Sequence, residues 1–401
     1  MDRRRLPTAW AEVDLHALGR NLMALRRRLP VGMAVYGVVK ADAYGHGAAV
    51  IARSLQHYGV DGLVVADLEE GTALRRIGIE RPILVLDPPL PQQAATMASH
   101  GLTATVTSLA EAQCLAMAAS RAGETVPVPV HVRVDTGFAG FGAPAASLVD
   151  LLDAIDRMPG LRLAGLYTHL SGSYRTGDTA GLKELERFGE AVARANAAGL
   201  TPPLVHALSS PAIDSPALFT SALRIGCTLV RCGALLYGIR MVPGETAFPF
   251  TPLMEVKARV MRVSTLGPGS LLGYGATGVV RRRMQVAMVS FGFSDGHHLH
   301  RLSGGHLLIR GQAAPIVGST FMSGLLANVS RIPDVQPGDE AVLIGRQGDL
   351  CIAAEGVAAQ CGLRPSAIPL LGPRVVRHYR TTPGGPAEPE ETEMADGEVP
   401  A

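Results

Sequence analysis

The sequence predicts an α/β protein, an N-terminal TIM (β/α)8 barrel followed by a smaller, mainly antiparallel β domain. Three observations predict it. Eight apolar runs of strand length recur through roughly the first 240 residues with helix-patterned segments between them. The pattern changes after the Pro-rich stretch Met241–Pro252, and 401 residues exceed what one hydrophobic core organises.

The first element is helical: Asp14 is placed as its N-cap, and Leu15, Leu18, Leu22 and Leu25 repeat at helical spacing until Pro30 stops the run. The strand runs are Ala34–Ala41, Gly62–Asp67, Pro82–Asp87, Leu102–Ser108, Val128–Gly137, Leu163–Leu170, Leu204–Ser210 and Thr228–Gly238. They are rich in Val, Leu and Ala without polar alternation, as strands covered on both faces are. Shorter strand runs follow at Met254–Leu266, Met284–Phe293, His306–Ile316 and Glu340–Gly345, with a helix near Ala353–Cys361. Residues 1–245 are assigned to the barrel, 246–380 to the β domain and 381–401 to a disordered acidic tail. That tail carries six acids and no Lys or Arg, so without it the formal charge moves from +2 to +8.

Composition narrows the function classes. With 47% hydrophobic and 18% charged residues the chain is globular, and a formal charge of +2 gives no reason to expect nucleic acid or an acidic membrane as partner. Five cysteines without a Cys-x-x-Cys pair fit reduced thiols rather than disulfides or zinc. No apolar segment reaches about 20 residues, and none of signal-peptide length follows the N-terminal charges. The expectation is a soluble cytoplasmic protein.

Chemistry on such a barrel belongs at the C-terminal ends of the strands. The first run ends in Lys40 and Asp42, the fifth in Arg133, Asp135 and Thr136, the sixth in Thr168 and His169, the seventh in Ser209 and Ser210, and the eighth in Arg231 and Gly233. Only three lysines, Lys40, Lys183 and Lys257, stand against 34 arginines, and Lys40 alone falls at the rim. Partial burial there lowers its pKa towards the neutral amine that attacks a carbonyl.

Val39-Lys40-Ala41-Asp42-Ala43-Tyr44-Gly45-His46-Gly47 closely resembles the pyridoxal-phosphate lysine motif of the alanine racemases. The resemblance runs from about Trp10 to Tyr379 and includes Gly273-Tyr274-Gly275-Ala276-Thr277, Gly338-Asp339-Glu340 and Gly372-Pro373-Arg374-Val375. It implies a barrel followed by a β domain, pyridoxal 5'-phosphate as cofactor and an amino acid as substrate. By the same resemblance Lys40 holds the cofactor as a Schiff base and is one catalytic base. Tyr274 is the opposite base, reaching the other subunit's barrel across a homodimer. Inversion requires removing a proton on one face and returning one on the other. Arg231 faces the pyridine nitrogen with His169 beside it, Tyr44, Ser210 and the amides of Gly233 and Ala234 cradle the phosphate, and Met322 lies at the substrate entrance.

The sequence also departs from that family. Where the family reads Asp-Thr-Gly-Met-x-Arg-Leu-Gly, this chain has Asp135-Thr136-Gly137-Phe138-Ala139-Gly140-Phe141-Gly142, so Gly140 replaces the arginine that binds the substrate carboxylate. Arg133 stands where many members carry a carbamylated lysine. Ser323, Ser366 and Phe293 replace an acid and two tyrosines around the same site. The expected pocket is larger, less cationic and more apolar. The leading reading is a racemase whose substrate need not be alanine. The alternatives are an aldolase or decarboxylase-type tailoring enzyme on the same lysine, a degenerate cofactor-binding homologue, and a metal site in Gly296-His297-His298-Leu299-His300.

Overall fold

Apolar runs without alternation need cover on both faces, and a closed ring of strands inside a ring of helices provides it. The computed structural model describes residues 7–121, 126–138, 140–175, 177–242, 250–276, 278–296 and 304–381. Each of the eight expected runs carries a parallel strand: Ala34–Val38, Gly62–Val65, Ile83–Val85, Ala104–Val106, Val128–Arg133, Leu161–Tyr167, the interrupted Leu204–His206 and Leu208–Ser209, and Leu229–Cys232. The eighth pairs with the first, Leu229 opposite Ala34 and Arg231 opposite Tyr36, and this closes the ring. A single bridge from Leu84 to Thr103 joins the third strand to the fourth. Ala207 divides the seventh, whose first part pairs with Leu161–Tyr167 and whose second pairs with Leu229–Cys232.

Two-residue alternation sorts the side chains. Val35, Val39, Leu63 and Val65 join the core beneath the helices, while Tyr36, Val38, Val64, Leu84 and Leu229 form a separate cluster inside the barrel. The strands are shorter than the apolar runs because the last residues of each run leave the ladder to build the rim. Lys40, Asp87, Asp135, His169, Ser210 and Gly233 all fall one or two residues beyond a strand end. The expected first helix spans Leu15–Arg26, with the Asp14 carboxylate accepting from the Ala17 N–H at 3.0 Å.

The second domain is a nine-stranded sheet. Its long strand Met254–Leu266 pairs with both Met284–Val289 and Glu340–Gln347, bending at two register shifts, so six of the strands close into a ring. The sequence reading needs correcting in three places. Ala9–Asp14, allotted to the barrel, is a strand of this sheet, antiparallel to Met254–Leu266 and parallel to Val376–Arg380. The run His306–Ile316 is a hairpin of His306–Ile309 and Gln312–Val317, turned at Arg310 and Gly311 with φ of 52° and 73°. Leu325–Asn328, Leu350–Ile352 and Val376–Arg380 are further strands that the pattern did not signal. The 245/246 boundary, the tail beyond Thr381 and the histidines of the suggested metal loop lie outside the described residues. Among the described residues no His, Cys, Asp and Glu cluster could hold a metal, and no helix is long and apolar enough to cross a membrane.

Candidate active site

The peptide after Lys40 is built against its own preference. Ala41, Asp42, Ala43 and Tyr44 have φ of 51°, 53°, 53° and 55°, a left-handed turn made without glycine. L-residues disfavour it by about 1–2 kcal/mol each. Neighbouring groups hold it in place. The Ala41 N–H donates to Glu70 Oε1 at 2.6 Å, while Glu70 Oε2 takes the Ala66 N–H of the next loop at 2.8 Å. Asp42 accepts from Ala48 N–H at 2.7 Å, and buried His46, stacked on Tyr237, bonds through Nδ1 to the Ala43 carbonyl at 2.9 Å. From the second domain, Arg377 Nε donates to the Gly45 carbonyl at 2.6 Å and Tyr379 Oη to the His46 carbonyl at 3.1 Å. Gly47 (φ +93°) must be glycine, since a Cβ there would lie 1.9 Å from Tyr379 Oη.

Lys40 thereby lines a cavity of about 230 Å³. Burial pulls its pKa down, Asp87 and Glu70 partly oppose this, and Arg231 and Arg133 add to the fall. The other lysines are unsuited to the role. Lys183 is exposed on a helix, and Lys257 is ion-paired to Glu12 at 2.9 Å and Glu255 at 3.1 Å. Burial alone would lower the Lys257 pKa, but those carboxylates raise it overall.

The cavity floor is a polar chain inside the barrel. Arg231, 4% exposed, donates to the Thr168 carbonyl at 2.8 Å and to His206 Nδ1, and its guanidinium lies 5.1 Å from the Tyr167 ring centre. His206 stacks on Tyr167 and its Nε2 is 2.8 Å from His131 Nδ1. Burial pushes the His131 pKa down to about 3 and that of His206 well below its ordinary value, so both rings are neutral. Because arginine only donates, His206 Nδ1 must accept and its proton sits on Nε2, directed at His131. Burial pulls the Arg231 pKa down to about 10, so Arg231 remains a cation at neutral pH. It has no carboxylate partner among the described residues.

The opposite end is a cradle. Ser210 Oγ accepts from the Gly233 and Leu235 N–H groups at 3.1 and 3.3 Å, and a Cβ on Gly233 would come within 3.0 Å of the Tyr44 ring. The Ser209 hydroxyl beside it is buried against the Tyr174 hydroxyl. Burial raises the Tyr44 pKa, so its hydroxyl keeps its proton. Lys40, Tyr44, His169, Ser210, Arg231, Gly233 and Ala234 therefore line one cavity together. His169 packs edge-on to Phe138, and burial pushes its pKa down to about 3.

Tyr274 and Met322 stand apart from that cavity. They are 62% and 58% exposed on the second domain, where Tyr274 meets Phe321 edge-on. The loop bearing Met322 is fixed by Ser294 Oγ on the Met322 carbonyl at 2.7 Å, and Arg374 beneath it pairs with fully buried Asp295. At Gly140 (φ +73°) a Cβ would meet nothing within 4 Å, so the position offers open space. The cavity nonetheless keeps a third cation, because Arg133 lines it along with Phe138. The sequence reading passed over Asp87, Tyr174 and Phe138 as lining groups, and Glu70, His131, Tyr167 and His206 as supports. Asp87 closes the third apolar run and the strand-end rule would have found it; the histidines looked like ordinary core residues.

The chain matches the family models "Alanine racemase, N-terminal domain" over residues 13–241 and "Alanine racemase, C-terminal domain" over residues 253–379. It is 35% identical over 360 residues to the alanine racemase of Symbiobacterium thermophilum, covering 89% of this chain and 93% of the relative. The alanine racemase of Geobacter sp. strain M21 is 34% identical over 374 residues, covering 91% and 95%. Among solved structures, the alanine racemase from Streptomyces lavendulae superposes with a TM-score of 0.86 at 27% identity, covering 95% of this chain and 99% of that one. The Streptomyces coelicolor A3(2) enzyme gives 0.83 at 31%, covering 93% and 98%.

Proposed function

The chain belongs to the alanine racemase family of pyridoxal-phosphate-dependent isomerases, and from that we propose that it inverts the α-carbon of an amino acid using Lys40 and Tyr274 on opposite faces. The observation that carries the reading is Lys40, the only lysine at the rim, held on a strained turn with a depressed pKa and facing an unpaired buried arginine.

The residues present fit the cofactor. Arg231 is a buried cation without a carboxylate partner among the described residues, and Gly233 leaves a cradle that a Cβ would fill. Lys40 would hold the group covalently, Arg231 would face its ring nitrogen, and Tyr44, Ser210 and the Gly233 and Ala234 amides would take its phosphate. When bound, pyridoxal phosphate supplies an electron sink that acidifies the α-hydrogen of an attached amino acid.

The protein's part is to place bases and limit the reaction. Lys40 Nζ, its proton affinity lowered by burial, takes or returns the proton on one face. Arg231 stays protonated and donates to whatever nitrogen faces it without giving that nitrogen a proton, which keeps the sink weak and favours simple proton exchange over decarboxylation. The neutral rings of His206 and His131 hold Arg231 in place without adding a charge. Tyr274 does not line its own chain's cavity and is exposed, as a base that serves the barrel of a second copy must be. Met322 on the same face takes the substrate entrance. Both placements require a homodimer. The free thiols of Cys114, Cys227, Cys232, Cys351 and Cys361 accord with a reducing, cytoplasmic setting.

Alanine is the substrate that the relatives' names give. In this chain Gly140 carries no side chain to bind the carboxylate as the family's arginine does, so the substrate need not be alanine. Incubating the cofactor-loaded enzyme with single-enantiomer amino acids in deuterated water tests the reading. Inversion with deuterium at the α-carbon supports it; release of carbon dioxide or an aldehyde without inversion refutes it.

A further inference from the structure

We propose that Arg133 anchors the substrate carboxylate, the task left open by Gly140; this rests on the amino-acid reading above. Any α-amino acid brings an anion into the cavity, and three side chains lining it can carry positive charge there: Lys40, Arg133 and Arg231. His169 does not, because burial keeps it neutral. Lys40 is committed to the cofactor and the proton, and Arg231 lies on the floor, donating to the Thr168 carbonyl and His206. Arg133 is the remaining one among the described lining residues.

Its placement suits the task. Arg133 ends the strand Val128–Arg133 two residues after His131, whose ring reaches His206 inside the barrel, so alternation sends both side chains inward. Its guanidinium makes no ion pair or hydrogen bond among the described residues and lies 5.6 Å from the Phe138 ring centre and 5.8 Å from that of Phe141. Two aromatic rings orient the planar group while leaving its five N–H donors uncommitted, and a carboxylate is the anion that fork matches. The charge reaches the reacting groups too, since Arg133 contributes to the lowered pKa of both Lys40 and His169. The family's arginine on the following loop is thus replaced by one on the strand, in the position of the residue that would have supported it.

The test is calorimetric titration of the cofactor-loaded enzyme with propionate and with its uncharged isostere propionamide, for wild type and Arg133→Met, alongside racemisation kinetics. Wild type should prefer propionate. Arg133→Met should lower propionate affinity about ten- to a hundredfold, leave propionamide unchanged, and raise KM for the amino acid more than it lowers kcat. Unchanged propionate affinity in a variant that retains its cofactor absorption and melting temperature overturns the anchor, as does wild type showing no preference for the carboxylate. If the methionine variant does not fold, Arg133→Gln decides by the same titration. The two readings fail separately: Arg133-dependent carboxylate binding without inversion removes only the racemase, and inversion with Arg133-independent carboxylate binding removes only the anchor.

Discussion

Glu70 offers the sharpest test of how Lys40 is positioned, because it touches neither cavity nor cofactor and still ties two barrel loops together. Glu70→Ala removes the acceptors for Ala41 N–H at 2.6 Å and Ala66 N–H at 2.8 Å. At about 1.5 kcal/mol for each charge-assisted bond of a half-exposed carboxylate, the loss is about 3 kcal/mol. It falls on a turn whose four left-handed residues already cost roughly 4–8 kcal/mol, so the loosened turn should shift Lys40 and weaken cofactor capture. Glu70→Gln keeps one carbonyl oxygen and should cost about half as much. It also deletes a charge that raises the Lys40 pKa, so the acid limb of the pH profile for cofactor capture should move to lower pH. Urea unfolding and titration of apoprotein with cofactor, followed by visible absorption, measure both effects. If Glu70→Ala stays within about 0.5 kcal/mol of wild type and binds cofactor equally well, the turn is held by other contacts and the reasoning is wrong.

The remaining predictions concern the bases and the buried rings. Lys40→Ala should remove the visible absorption of bound cofactor, and its persistence would place the attachment elsewhere. Tyr274→Phe should leave α-proton exchange in deuterated water on one face while suppressing inversion, as read by chiral chromatography with mass detection; undiminished inversion would exclude Tyr274 as the second base. Stability should fall in mild acid. His46, His131 and His206 are buried and neutral, with folded pKa values of about 4, about 3 and well below normal, whereas the unfolded chain binds their protons from about pH 6.5 downwards. Their stabilisation is complete above pH 6.5 and is lost at about 1.4 kcal/mol per histidine per pH unit below it. Urea midpoints that stay flat from pH 7 to 5 would mean these rings are protonated in the fold.

What could be read from the sequence followed from how local each signal is. The barrel strands were legible because each is an uninterrupted apolar run, and the rim because each run ends in a polar residue that the ladder cannot keep. Lys40 and its loop were legible as a motif, and Arg231 and Ser210 by position on it. Ala9–Asp14 was not: it is six residues long, adjoins a helix cap, and finds its partner in Met254–Leu266, about 240 residues away. Val376–Arg380 carries three basic or histidine side chains in five residues and became a strand because it adds to an edge that Ala9–Asp14 supplies. Glu70 gave no signal, since its value depends on Ala41 and Ala66 coming together. Arg133 was legible as a strand-end residue and as a departure from the family, but its place beside the Phe138 and Phe141 rings was not. Arg133 lines the cavity, so a strand arginine is present there although the loop arginine is missing.

The central claim is that this chain removes the α-proton on one face of an amino acid and returns another on the opposite face. The most direct measurement is the fate of that proton when the cofactor-loaded enzyme meets a single enantiomer in deuterated water. The account predicts that the opposite enantiomer accumulates, carries deuterium at the α-carbon, and depends on Lys40. Loss of carbon dioxide or an aldehyde without inversion, or no exchange at all with the cofactor bound at Lys40, would contradict it.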